Sequence, residues 1–228
     1  MAMRDWRILL RISLPGRPKG EYRSAKHEGT PMSPPDLDTT RLQELLSQFY
    51  AGRVDRDAAR LGVIDIVMAR IGCARVSMWK FDGVTGDLSL LCFASKTAGG
   101  ELDVTERRLA QGEYREFFNA LIERGVFVSA DAMNDPTLQP MRESYLLAHH
   151  VTAMLDAAFM LNGRAYGMVC CEETKSTRAW NAGDVAALRT IVSRLALLMS
   201  AAPESVLWST PSRPLRTIAD EPSSNVRR

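Results

Sequence analysis

The sequence predicts an α+β fold, a central antiparallel β-sheet covered by helices. Three observations carry this. Asn162-Gly163 separates two apolar, strand-like runs, Ala153–Leu161 and Arg164–Glu172. Asn-Gly is the preferred two-residue hairpin turn, because both positions need positive φ. A second pair of apolar runs, Ala74–Phe81 and Leu88–Ser95, flanks the turn-rich stretch Asp82–Asp87. Apolar residues at helical spacing precede and follow these strands.

The elements follow in chain order. Pro31, Pro34 and Pro35 mark the entry to the folded part, and Leu42, Leu45, Leu46, Phe49 and Tyr50 then recur as one helix face. A second helix follows Asp55, with Leu61, Ile64, Met68 and Ile71 on one side and Gly72 at its end. After the first strand pair, residues 97–111 form a long polar connection with room for a short strand near Glu101–Val104. Glu113–Arg124 is a helix that turns Phe117, Phe118, Leu121 and Ile122 inward and stops at Gly125. Val126–Ser129 is a short strand, Asp131–Pro136 a loop, and Pro140–His149 a helix. The Asn162-Gly163 hairpin comes next. Asn181, with Asp184 three residues on, reads as a capping box for a last helix facing inward through Val185, Leu188, Ile191, Val192, Leu195 and Leu198.

Composition narrows the class. At 46% hydrophobic and 25% charged residues, the 228-residue chain is neither collagenous nor disordered, and four cysteines do not make a disulfide scaffold. No run approaches the ~18 apolar residues of a membrane span. The charge is uneven: residues 1–35 hold seven Lys/Arg against three Asp/Glu, whereas residues 36–201 hold eighteen against twenty-one. Three readings of the basic amino end (1–36) stay open. They are a disordered extension, an over-extended start with true initiation at Met32, and an arm for nucleic acid or anionic lipid. The first two are preferred, so neither nucleic acid nor membrane is an expected partner. Residues 202–228, rich in Ser, Pro and Arg, read as a disordered tail. Cys73, Cys92, Cys170 and Cys171 form no C-x-x-C and no zinc spacing, so no metal is expected. With no export signal, a reduced cytoplasmic setting is the expectation.

A family resemblance rests on an ordered set of motifs. Met154-Leu155-Asp156, Asn162-Gly163-Arg164, Gly167-Met168-Val169-Cys170 and Arg178-Ala179-Trp180 with Asp184 resemble the carboxy half of a GAF domain. Arg75–Asp82 resembles its first strand, and Ser144-Tyr145-Leu146 a segment before the hairpin. The likeness covers about residues 40–200, within a domain placed at 37–201. It implies a GAF/PAS-like architecture: terminal helices on one sheet face, often dimerising, and a small-molecule pocket closed by loops and short helices on the other. It also implies a cytoplasmic, bacterial-type sensory module without catalysis. With only 27 residues after the domain, no output domain is expected, so the signal passes in trans to a partner such as a histidine kinase or cyclase.

Strand alternation sorts the pocket candidates. Met154 and Asp156 share one face of their strand. Across the hairpin Met168, Cys170 and Glu172 share a face. Ser77, Trp79 and Phe81 form a third set, which the resemblance assigns to the pocket. Trp79 and Tyr145 can stack on a flat ligand. Asp131, Arg142 and His149 are further candidates; turn-making, surface exposure and a helix-end position are their respective alternatives. For Asp156 the alternative to a ligand anchor is a hydrogen bond to backbone N–H groups, and for Glu172 a solvated strand end. The cofactor stays unknown. The cysteine of the C-H-x-x-Y-L motif carried by many bilin-binding members is absent from Met141–Leu146, which argues against covalent bilin attachment. The N-K…F-x-x-x-D-E motif of cyclic-nucleotide members is absent as well. Two alternatives to the sensor remain. One is a degenerate domain, its pocket filled by Met78, Met154 and Met168, acting only as a dimerisation or interaction module. The other is a thiol enzyme resembling free methionine sulfoxide reductases, using Cys170 and Cys92.

Overall fold

The computed structural model describes residues 34–161 and 163–200 together with Leu207. The amino-terminal extension, the rest of the carboxy-terminal tail and Asn162 lie outside the described residues.

Two helices open the fold, α1 (Pro34–Tyr50) and α2 (Arg56–Ile71). Asp55 caps α2 by accepting from Ala58 N at 2.8 Å. Gly72 ends it in the left-handed conformation, with φ of 67°. Strands β1 (Arg75–Val84) and β2 (Asp87–Thr97) form the first hairpin, longer than the sequence suggests because Val84 still pairs with Asp87. Strand β3 (Arg107–Ala110), helix α3 (Arg115–Arg124) and strand β4 (Val126–Ser129) follow. Then come a 3₁₀ helix (Pro136–Met141), a π-helical turn (Arg142–Leu147), the hairpin β5 (Ala153–Leu161) and β6 (Arg164–Glu173), and α4 (Ala182–Ser200). The sheet order is β3-β2-β1-β6-β5-β4, antiparallel at every step.

Each sheet face carries its own core. On one face α1, α2 and α4 pack Leu42, Leu46, Val63, Ile64, Val67, Leu188, Ile191 and Leu195 onto Val76, Met78, Leu155, Ala157 and Val169. On the other, α3 and the 3₁₀ and π turns cover Trp79, Phe81, Leu90, Met154, Met168 and Cys170. The sidedness read from alternation is therefore the sidedness observed, except that Met78 faces the terminal helices and fills no pocket.

Four local differences have physical causes. The buried face of α2 runs through Arg60, Val63, Ile64, Val67 and Ile71, leaving Leu61 and Met68 half-buried. Arg60 belongs to it because its guanidinium lies 4.7 Å over the Phe93 ring and its Nε donates to the Leu207 carbonyl at 3.0 Å. The strand expected near Glu101–Val104 is a single bridge between Ser95 and Asp103. The true edge strand β3 is only four residues long and half arginine, so it carries no apolar alternation. In place of the expected helix Pro140–His149, a 3₁₀ helix runs to Met141, where Pro140 has no N–H for an α-helical bond back to the Pro136 carbonyl, and a π turn follows over Arg142–Leu147.

The family-like motif Arg178-Ala179-Trp180 with Asp184 works as a clamp. Arg178 donates to the last carbonyls around α2, Ile71 O at 2.7 Å and Gly72 O at 2.9 Å. It also pairs with Glu173 and Asp184 and stacks 4.3 Å over Trp180. Asp184 N and Asn181 N bond reciprocally to each other's side chains, completing the capping box.

Gly83 is fixed by its backbone: φ is +100°, and a Cβ there would lie 2.3 Å from Asp87 O. Gly83→Ala is expected to cost about 1–3 kcal/mol, read as a lowered midpoint in urea denaturation.

Candidate functional site

A cavity of about 210 Å³ opens on the pocket face beside β1, β2 and the β2–β3 connection, with the π turn as its wall. Arg75, Ser77 and Trp79 of β1 line it, as do Cys92, Ser95 and Thr97 of β2, Glu101, Asp103, Arg107, Tyr145 and His149. A register shift builds the polar part. Met78 pairs with Ala94 but Trp79 pairs with Cys92, so Phe93 is an extra residue in β2. This β-bulge sends both Phe93 and Ala94 to the helical core and turns Ser95, the partner of Ser77, toward the cavity.

A buried charge cluster forms the back wall. Glu172, fully buried, accepts from Arg75 Nε and, through Oε1, from the Tyr145 hydroxyl at 2.7 Å. Burial acts to raise the Glu172 carboxyl, but the Arg75 guanidinium and its hydrogen bond outweigh this and hold it below the ordinary carboxylate range. Burial opposes the Arg75 charge in turn, and the Glu172 carboxylate overrides that too, leaving the guanidinium more firmly protonated than usual. Arg75 also lies 5.8 Å over the Tyr145 ring, whose centroid is 4.9 Å from that of His149. Trp79 meets Tyr145 edge-on at 6.3 Å and donates its indole N–H to Ser77 Oγ at 2.8 Å. At the opening, Arg107 Nη2 pairs with Asp103 Oδ2 at 2.7 Å. In this wall Arg75 Nη2 is buried with no hydrogen-bond partner among the described residues. Leaving such a charged donor unpaired costs upwards of about 1–3 kcal/mol.

The ten residues singled out from the sequence fall into separate groups. Trp79, Tyr145 and His149 line the cavity. Glu172 stands behind it; it is neither a rim residue nor a solvated strand end, because Arg75 and Tyr145 enclose it. Met154, Met168 and Cys170 pack into the apolar core of the same face and line no part of this cavity. Asp156 is fully buried, and neither carboxyl oxygen has a hydrogen-bond partner among the described residues, so the expected bond to backbone N–H groups is not formed. Burial raises its carboxyl far above the ordinary range; the neighbouring Cys170 thiol acts against this and the Glu172 charge adds to it. Asp131 accepts from Asn134 Nδ2 at 2.8 Å and shapes a turn. Arg142 pairs with Glu143 at the surface. Both lie away from the cavity lining.

Sequence reasoning passed over Arg75, Ser95, Asp103 and Arg107. The signal for Arg75 was present, since it shares the alternating face of Ser77 and Trp79 at the head of β1. The signal for Ser95 was hidden by the bulge.

A family model for the GAF domain matches residues 56–199. The chain belongs to the GAF domain family. Similar solved structures include a phycoerythrobilin-bound GAF domain from a cyanobacterial phytochrome, at TM-score 0.57 and 16% identity, covering 72% of this chain and 94% of that one. The blue-light absorbing form of the Thermosynechococcus elongatus PixJ GAF domain gives 0.55 and 17%, covering 64% and 86%. The Stigmatella aurantiaca phytochrome photosensory core module gives 0.54 and 15% over 72% of this chain, which spans only 36% of the module. At these identities the likeness shows the GAF fold alone. No match was found among curated protein sequences. Among the described residues of this GAF domain, no helix is long and apolar enough to cross a membrane, and no three His, Cys, Asp or Glu side chains are placed to hold a metal.

Proposed function

We propose that this chain is a sensory GAF domain that binds a small molecule in the cavity over Arg75, Ser77 and Ser95 and signals in trans, as a dimer through α1 and α4, to a partner such as a histidine kinase or cyclase. The observation that carries the reading is the convergence of polar side chains on one cavity backed by a buried ion pair. Convergent polar groups in a concave site are the usual mark of ligand recognition.

The cavity's size favours a small ligand. About 210 Å³ lies below the ~300 Å³ at which ordinary ligand pockets begin, which disfavours a tetrapyrrole. The thiol-enzyme alternative is disfavoured as well. Burial pushes the Cys92 thiol up to about 12 and raises Cys170 well above the ordinary thiol range, and the thiolate is the reactive form.

A second reading has a specific observation behind it. Met154, Met168 and Cys170 fill the part of the face above β5 and β6, as in a domain that serves only as an interaction surface. Native mass spectrometry with an absorbance scan, followed by a thermal-shift screen against metabolites, separates the two. The sensor reading expects a dimer mass and either a co-purified small molecule or a ligand that raises Tm by about 5 °C or more near saturation. An empty protein unresponsive across the screen would leave the interaction module as the better account.

A further inference from the structure

The core of the helical face is completed from outside the domain. Leu207 lies beyond Ser200, where α4 ends, and beyond residue 199, where the family match ends. It is nevertheless fully buried, in the same core as Val63, Val67 and Phe93. A charged group holds its carbonyl: Arg60 Nε donates to Leu207 O at 3.0 Å. Arg60 is itself fully buried in α2. The Phe93 ring of β2 braces its guanidinium at 4.7 Å, and the exposed Asp57 carboxylate accepts from Nη1 at 3.4 Å. A buried guanidinium is costly unless it is paired and hydrogen-bonded. One acceptor that this guanidinium takes is a main-chain oxygen of the carboxy-terminal tail.

The arrangement is that of a peptide site. A cation reads a main-chain oxygen, which any residue offers, and the apolar core beside it selects an aliphatic side chain. Phe93 is the bulge residue of β2, and Cys92 and Ser95 of the same strand line the cavity. Strand β2 therefore carries the cavity on one face and this seat on the other. We propose that Arg60, braced by Phe93, forms a docking site for a short peptide segment, occupied by this chain's own tail through Leu207, and that the tail exchanges in and out of it. Leu207 belongs to no strand of the sheet and to none of α1–α4, so its departure leaves every element of the domain in place. A peptide presenting an aliphatic residue competes for the same seat. The tail is tethered, which gives it a local concentration in the roughly millimolar range. A peptide added in trans therefore enters only when the tail is displaced.

The test uses the full chain and its variants, each checked for folding by circular dichroism. Leu207→Lys expels the tail, because an ammonium cannot be buried beside the Arg60 guanidinium. Adding Arg60→Met to this variant removes the donor. A fluorescently labelled peptide of residues 203–211 is titrated against each protein by anisotropy, beside a control peptide carrying the same Leu207→Lys change. The expected result is binding to the Leu207→Lys variant roughly tenfold or more tighter than to the wild type. Arg60→Met should weaken that binding about tenfold or more, and the control peptide should not bind. In the otherwise wild-type chain, Arg60→Met should speed chymotryptic cleavage between Leu207 and Trp208 by a similar factor. A folded Leu207→Lys variant that binds no peptide, equal binding with and without Arg60, or cleavage unchanged by Arg60→Met would overturn the docking site. A Leu207→Lys variant that does not fold would overturn the exchange and make Leu207 a permanent part of the core.

Discussion

Glu172→Ala is expected to destabilise the domain by about 3–5 kcal/mol, the range found when one member of a buried ion pair is removed. The carboxylate is fully buried and is the acceptor for both Arg75 Nε and the Tyr145 hydroxyl. Without it, a guanidinium that stays charged is left in a central strand with no counterion, and a buried phenol loses its partner. Replacing the pair together by apolar residues of similar size would cost far less, because the penalty lies in the orphaned charge. The pH dependence has a definite sign. The folded Glu172 carboxyl is held below its ordinary value of 4.5, so its stabilisation is complete above that value and is lost as pH falls through the lower folded one. Urea denaturation at neutral pH should show the full difference between wild type and Glu172→Ala, and the gap should narrow as the pH drops below about 4. A variant with wild-type stability at pH 7 would mean that the back wall of the cavity is not held by this pair.

The parts of the fold that were legible in the sequence are those where local chemistry and long-range packing agree. The β5–β6 hairpin has Asn-Gly in its sequence between runs that alternate between two covered faces, and its strands lie where those residues predict them. The same holds for α4, where Asn181 and Asp184 cap each other. Legibility failed where packing overrode pattern. Arg60 sits at a core position of α2 because Phe93 and the Leu207 carbonyl receive its charge, and nothing in helical periodicity marks an arginine as buried. Strand β3 is an edge strand defined by its hydrogen bonds to β2. The candidate site divides along the same line. Trp79 was found because an aromatic residue on an alternating strand face is visible in one dimension, and Tyr145 because its Ser144-Tyr145-Leu146 segment resembles a family motif. The pairing of Arg75 with Glu172 joins residues 97 apart in the chain, and the bulge at Phe93 depends on register between strands. Both are set only once the sheet is assembled.

Asp156→Asn is expected to stabilise the protein increasingly as pH rises. Asp156 pairs with Cys170 across β5 and β6, and Glu172 lies two residues along β6 from Cys170, on the same face. The two carboxyls nevertheless stand in opposite states. Glu172 has a cation and a phenol; Asp156 has apolar packing, a thiol neighbour and no hydrogen bond among the described residues. Burial therefore keeps Asp156 protonated far above its ordinary value of 3.8, and the Glu172 charge adds to this against the Cys170 thiol. For an acid whose folded value is raised, the native state holds its proton more tightly than the unfolded chain. Its contribution is complete below 3.8 and declines, by up to about 1.4 kcal/mol per pH unit, until pH passes the folded value. Asparagine is close in shape to the protonated acid and cannot ionise, so the variant removes this slope. The measurement is urea-denaturation stability from pH 4 to 8 for both proteins, and the expected result is a difference that grows with pH. Parallel curves would show that Asp156 is charged and paired in the native state. The contrast with Glu172 is then direct: one carboxylate stabilises the fold by remaining ionised at the cavity wall, while the other is tolerated in the core only as the neutral acid.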